Sequence, residues 1–411
     1  MVLNYIWVAF FLIAFAVALV KLIFFGDTEI FKTIVEGLFD SSKVAVMDIA
    51  LPLAGVMTFF LGLLNIGEKA GAIDFLARII GPFFNKLFPE VPKDHPANGQ
   101  MIMNFSANML GLDNAATPFG LKAMQSLQEL NPHKDTATNA QIMFLVLHTS
   151  GLTIIPLSIM AQRAILGAAD PSDIFIPCLI GTYVTTVVSV LIVAFIQKLN
   201  LFNGLVIGWL GGITAFLALA LWGLSGLPKE QIEQVSKVVG NVLLFSIIVS
   251  FLLGAIRRKV DIFDAFIEGA KGGFETSVRI IPYLVGMLVA IGAFRNAGAM
   301  DYLVGGLKYL IGLTGVDTDF TDALPVALMK PLSGSGARAL MIDAMKQFGP
   351  DSFVGRLVCI FQGSADTTFY IVALYFGSVG IKKTRYAILA GLIADFCGVL
   401  AGIALGYLFF H

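Results

Sequence analysis

Five long apolar stretches, residues 5–20, 176–196, 205–224, 238–256 and 386–410, restrict this chain more than any other feature. Each approaches or reaches the roughly 17–25 residues that a helix needs to cross a hydrocarbon core of about 30 Å. Lipid offers backbone groups no water, so only helices or closed barrels survive there. Composition agrees: 57% of the 411 residues are hydrophobic and 13% are charged, whereas soluble domains run at about 45–50% and about 25%. An all-α polytopic membrane protein follows.

The same features exclude several function classes. A formal net charge of −1 leaves no basic field for nucleic acid. Cys178, Cys359 and Cys397 stand singly in apolar runs, without CxxC or metal-ligand spacing, and read as thiols facing core or lipid. HExxH, GxSxG and P-loop motifs are absent, so neither an enzyme nor direct nucleotide drive is expected. The only cofactor expected is a coupling ion, Na⁺ or H⁺. The first stretch lacks a charged n-region and a small-residue cleavage site, and reads as a retained helix.

The chain states its plan twice. "IFKTIVEG" at 30–37 returns as "IFDAFIEG" at 262–269, "ALPLAGVM" at 50–57 as "IIPYLVGM" at 280–287, and "AGAIDFL" at 70–76 as "AGAMDYL" at 297–303. "FGLKAM" at 119–124 then faces "LMIDAM" at 340–345, and "LHTSGLT" at 147–153 faces "FQGSADT" at 361–367. Matches that keep their order across half a chain signify duplication, with halves at 1–200 and 201–411. Each half carries a hydrophobic helix and then an amphipathic segment, at 28–45 and 261–278, expected to lie in the membrane interface. A spanning helix, a second amphipathic segment, a Gly/Pro-broken polar stretch and two further spanning helices complete it.

Topology follows from the basic clusters Arg257-Arg258-Lys259 and Lys382-Lys383-Thr384-Arg385, which mark the cytoplasmic face by the positive-inside rule. If the stretches 97–126 and 322–348 are re-entrant hairpins, two crossings separate the clusters. The count gives about nine crossings, amino terminus inside and carboxyl terminus outside, with repeats of inverted topology. The bacterial cytoplasmic (inner) membrane is the expected location.

The polar residues gather at four breaks. "NMLGLDNAATPFGLKAM" at 108–124 sets Asn108, Asp113, Asn114 and Thr117 beside Gly111 and Pro118. "MKPLSGSGARALM" at 329–341 repeats the device with Ser333, Ser335 and Arg338. "LHTSGLTIIP" at 147–156 carries His148, Thr149 and Ser150, and "FQGSADTTFY" at 361–370 carries Gln362, Ser364, Asp366 and Thr367. Irregular backbone at membrane depth survives only against protein or a water-filled cavity. Paired Gly/Pro-interrupted segments in matching places point to a transporter site near the midplane. Single Ser and Thr groups commonly bond back to their own helix, but Asp113, Arg338 and Asp366 are too expensive in lipid without a role. Asp395 and Lys122 read instead as residues near a boundary, able to snorkel. Arg338 is expected to pair with Asp366 rather than Asp343.

At these motifs the chain resembles the spore maturation proteins SpmA and SpmB joined head to tail. "FPEVPKDHPANG", "GLDNAATPFGLKAM" and "LHTSGLTIIP" look like the SpmA half; "PLSGSGARALMIDAM" and "QGSADTTFYIVALYFGSVGIKKTRYA" look like the SpmB half. That resemblance extends to the nucleoside-recognition (Gate) domain, shared with concentrative nucleoside transporters and the membrane part of the ferrous-iron transporter FeoB. It implies that Asp113, Asn114 and Thr117 fall at one substrate-contacting hairpin tip, and Ser333, Ser335 and Arg338 at the other. Asp113-Asn114 stands where nucleoside transporters tend to have a Gln-Thr-Glu-type tip, and no cysteine stands at the break as in the iron transporter. Neither specificity therefore carries over. The reading is an ion-coupled secondary transporter of a small polar or anionic solute, in lipid, as a monomer or homo-oligomer. Its rival is a non-transporting scaffold for envelope or spore maturation.

Overall fold

The computed structural model describes the backbone of residues 2–111, 113–201, 203–225 and 229–411. Side chains at 2–4, 113–115, 224–225, 229–230, 232–233, 236–237, 279–280 and 283 lie outside the described set. Among the described residues the structure is helical, with one isolated bridge between Thr136 and Lys383.

The first half runs α1 (Val2–Phe25), α2 (Ile30–Lys43), α3 (Leu51–Lys69), α4 (Ala72–Leu87), α5 (Pro96–Met109), α6 (Asp113–Glu129), α7 (Asn139–Thr149), α8 (Leu157–Ile165) and α9 (Phe175–Gln197). The second runs α10 (Gly204–Val206), α11 (Gly212–Ser225), α12 (Lys229–Arg257), α13 (Ile262–Asn296), α14 (Ala299–Gly312), α15 (Leu324–Met329), α16 (Gly334–Phe348), α17 (Phe353–Gly363), α18 (Thr368–Ser378) and α19 (Ala387–Phe410). The repeated motifs become repeated geometry. α4 and α14 each follow a left-handed glycine, Gly71 at φ 85° and Gly298 at φ 83°. α7 and α17 each start from a hydroxyl cap: Thr138 accepts from Gln141 N–H at 3.2 Å, Ser352 from Gly355 N–H at 2.9 Å.

The amphipathic segments 28–45 and 261–278 do not lie apart in the interface. α2 runs through a π-helical turn, Val44–Ala50, into α3, giving one helical course from Ile30 to Lys69. The widened turn leads directly into Pro52, which has no N–H to give. Segment 261–278 is the first half of α13. The two courses pack antiparallel through small residues: a Cβ on Gly269 would overlap Asn65 and Leu61 of α3, and Asn65 Nδ2 donates to Ala265 O at 2.7 Å. Segment 28–45 packs on the second half of α13, where a Cβ on Gly37 would overlap Asn296, and the charged residues of both segments stay exposed.

Among the described residues, seven helical courses are long and apolar enough to cross a membrane, and up to eight if the bent pair Leu284–Asn296 and Ala299–Gly312 forms one span. The expected nine exceeds this by α7–α8, which the break at residues 150–156 divides into two short helices.

Contacts at the two ends fix the course of the broken helices. The loop before α7 meets the loop after α18: Ala137 N–H donates to Lys383 O at 3.0 Å, and Lys383 N–H to Asp135 O at 2.9 Å. The loop after α8 meets the loop before α17, where fully buried Arg163 lies 2.8 Å from Asp173 and 3.0 Å from Asp351. Arg356 Nε adds a 2.8 Å bond to Asp173. α7–α8 and α17–α18 therefore run in opposite directions.

Candidate functional site

Where the broken helices cross, their loose backbone ends find each other. Asp366 N–H donates to Thr149 O at 2.8 Å, closing one break against the other. Each hairpin tip is tied to the break of its own half: Ile154 N–H donates to Met109 O at 2.7 Å, and Phe369 N–H to Pro331 O at 3.1 Å. These bonds meet the demand that backbone groups at membrane depth be satisfied within the protein.

The four segments and the α3–α13 pair enclose a cavity of about 350 Å³. Its charged and polar wall comprises Asn65 and Glu68 of α3, Asn108 of hairpin α5–α6, Lys330 and Arg338 of hairpin α15–α16, and Gln362 and Asp366 of the second break. Thr153, Ser158 and Thr276 add hydroxyls. Asp366 leaves 43% of its side chain exposed, and its own backbone turn is held by Thr367 N–H donating to Oδ1 at 2.7 Å.

Behind this wall lies a buried relay of contacts. His148 Nδ1 sits 3.0 Å from Asn108 Nδ2 and 3.0 Å from Asn104 Oδ1. Its Nε2 is 3.4 Å from Tyr375 OH and 3.9 Å from Asp366 Oδ2. Asn104 Nδ2 donates to Ala116 O at 2.7 Å, bracing the hairpin tip. His148 thus couples hairpin α5–α6 to the opposite break instead of reaching the cavity itself.

The sequence candidates separate accordingly. Asn108, Arg338, Gln362 and Asp366 share the cavity wall. Thr149, Ser150 and Ser364 turn back to their own helices, donating to Val146 O at 2.9 Å, Leu147 O at 2.6 Å and Phe361 O at 3.0 Å. Ser333 caps α16 by accepting from Gly336 N–H at 3.0 Å, with Ser335 3.3 Å away. Thr367 is buried against Gly334, and half-buried Thr117 stands one turn into α6. The side chains of Asp113 and Asn114 lie outside the described residues. Asp343 is engaged by Arg295, while Arg338 and Asp366 face the same space. Asp395 is no boundary residue: it is buried, and Thr368 Oγ1 donates to its Oδ2 at 2.7 Å.

Asn65, Glu68 and Lys330 are wall residues that the motifs do not reveal. Asn65 and Glu68 close an otherwise apolar helix, and Lys330 precedes the conspicuous Pro331 turn. A polar group ending an apolar run was the available signal.

Fold and cavity together define a polytopic all-α membrane protein in which two helical hairpins and two broken helices surround a polar cavity. A family model described as Gate, nucleoside recognition, matches residues 50–166 and 277–382, more than half of the chain and corresponding parts of both halves. The chain belongs to this nucleoside-recognition family. It is 45% identical over 164 residues to spore maturation protein B of Bacillus subtilis (strain 168), covering 40% of this chain and 90% of that protein. It is 36% identical over 189 residues to spore maturation protein A of the same organism, covering 46% of this chain and 92% of that protein. No solved structure matches the chain.

Proposed function

We propose that the chain is a secondary transporter of the bacterial cytoplasmic membrane, carrying a small polar or anionic solute with H⁺ or Na⁺, and that its halves are inverted repeats. The observation that carries the reading is the cavity, walled by both hairpins and both breaks and holding Glu68, Lys330, Arg338 and Asp366. Charge at that depth is costly unless it serves an ion or substrate path. The opposed courses of α7–α8 and α17–α18 support the inverted arrangement, in which such sites sit at the repeat interface. An anion fits best beside Arg338: its fork suits carboxylate or phosphate, and Lys330 and the amino end of α16 add positive potential.

A scaffold for spore maturation is the second reading. It is favoured by the names of the relatives and by the buried Arg163 cluster, which fastens the outer ends of both broken helices. Reconstitution into proteoliposomes separates the two. A pooled metabolite extract with imposed Na⁺ or pH gradients should give solute accumulation that Arg338→Ala sharply reduces. Accumulation of nothing above empty liposomes, for wild type under either gradient, supports the scaffold.

A further inference from the structure

The buried carboxyl of Asp395 has no task in the cavity as described. It is the ninth residue of the 24-residue α19 and 5% exposed, so α19 carries a carboxyl where its neighbours are apolar. Thr368 Oγ1 donates to Oδ2 at 2.7 Å, and Thr368 is itself fully buried at the start of α18. The other oxygen, Oδ1, is buried with no hydrogen-bond partner. Gly391, one turn before, lets Thr368 press against α19: a Cβ there would lie 2.8 Å from its methyl group.

The charges that act on Asp395 are Lys330 and Asp366, and both stand on the cavity wall. Among the described residues, the other packed elements bring no charge that acts on it. α12 has no charged residue between Lys237 and Arg257. α9 offers Cys178 and Tyr183 as its titratable groups, and its Thr185 hydroxyl, against Gly398, donates to Gly181 O at 3.0 Å. On α17 Arg356 is held by Asp173, and Cys359 is buried. His148 of α7 and Tyr375 of α18 face each other. On α19 itself Cys397 is the nearest titratable group, half-buried two residues on, and Tyr407 and His411 lie at the far end.

An ionised carboxyl with one donor, in so dry a place, is far costlier than the neutral acid. A metal cation asks for a shell of about six oxygens, whereas a proton needs one open oxygen, which is what Oδ1 offers. We propose that Asp395 is a proton-accepting site served from the cavity, and that its proton is the coupling ion of the transporter. Uptake from cavity water forms an O–H bond at Oδ1 and cancels the carboxylate charge. Release returns the proton to water and leaves the carboxylate with the Thr368 bond and the positive field of Lys330. The route is short: Thr368 follows Asp366 and Thr367, so Asp395 lies one layer behind the wall.

The coupling role rests on the transporter reading; the proton site does not. The test is therefore spectroscopic, on the full chain in lipid vesicles. Infrared difference spectra across a pH titration should contain a protonated-carboxyl stretch that titrates, moves to lower frequency in D₂O, and is lost in Asp395→Asn. Asp395→Glu should move the band rather than remove it, which guards against a misfolded Asn variant. A wild-type spectrum with no titrating carboxyl stretch overturns the proposal. So does a band that ignores D₂O, because the acid is then sealed from the cavity. If the band behaves as expected while no solute accumulates in proteoliposomes, the proton site stands and the transporter reading fails.

Discussion

The N–H of Asp366 donates to the carbonyl of Thr149 at 2.8 Å, so the break in each half is closed by the break in the other. One bond thereby answers for two interrupted helices and holds the Asp366 carboxylate at the cavity wall.

That bond dictates a requirement at Gly151. Its φ is +62°, and a Cβ there would stand 2.9 Å from the Asp366 nitrogen. Gly151→Ala combines left-handed strain, about 1–2 kcal/mol, with a backbone clash that no side-chain motion relieves. Thermal unfolding in detergent should fall by several degrees. Gly55→Ala, on a helix with open space around the glycine, should match or exceed wild type because helix interiors favour Ala. Equal melting of both variants would sink the account.

Arg163 makes the second requirement. It is fully buried and ion-paired to Asp173 and Asp351 from opposite halves. Removing one member of such a cluster leaves buried charge without compensation, at a cost of about 3–5 kcal/mol. Arg163→Ala should therefore express poorly or melt early, and Asp351→Asn, at the more exposed edge, should be milder. A wild-type melting curve for Arg163→Ala would show that the outer ends are held by other contacts.

Much of this was legible in the sequence, because local signals encode local breaks. Gly111 at positive φ and the turn at Pro331 mark the interruptions of the two hairpins, whereas Pro118, expected to bracket the first break, lies inside α6; the duplicated motifs align the breaks. What stayed hidden is nonlocal. Nothing local says that Asn65 and Glu68 face the second hairpin, since this depends on α3 packing along α13 two hundred residues away. Thr149, Ser150 and Ser364 looked like site residues because a hydroxyl beside a break can turn either inward or back to its own helix. The spacing is identical in both cases, and only packing selects. The amphipathic pattern at 28–45 and 261–278 misled for a related reason: each segment is part of a long helix whose small and apolar face packs on the other course while its charges stay exposed, and that pattern suits the membrane interface equally well.

The opposed courses of α7–α8 and α17–α18 have a direct consequence for labelling. Lys134, beside the loop that meets Lys383, and Asp319, beside the carboxyl-terminal His411, stand at opposite ends of α19. In intact cells a membrane-impermeant maleimide should modify Asp319→Cys, and should reach Lys134→Cys only after permeabilisation. Equal accessibility from one side would exclude the inverted arrangement.

The last prediction concerns Arg338. It shares the cavity with Asp366, whereas Asp343, the rival carboxylate on its own helix, is already paired with Arg295. An arginine there compensates a carboxylate in the empty site or binds an anion in the filled one, and exchange between the two is what a solute would drive. Losing a charge-assisted bidentate contact removes about 1.5–3 kcal/mol, roughly a 10- to 150-fold weakening of solute binding. Arg338→Lys should insert normally and show that weakening, since an ammonium keeps the charge and loses the fork. Arg338→Ala should weaken binding further than Arg338→Lys and make the residual activity more dependent on pH, because the neighbouring carboxylate loses its countercharge. Lys330→Met should weaken binding less, as a point charge contributes field without geometry. If Arg338→Ala takes up solute normally with an unchanged pH profile, the residue is structural and the solute is not held as an anion at this hairpin.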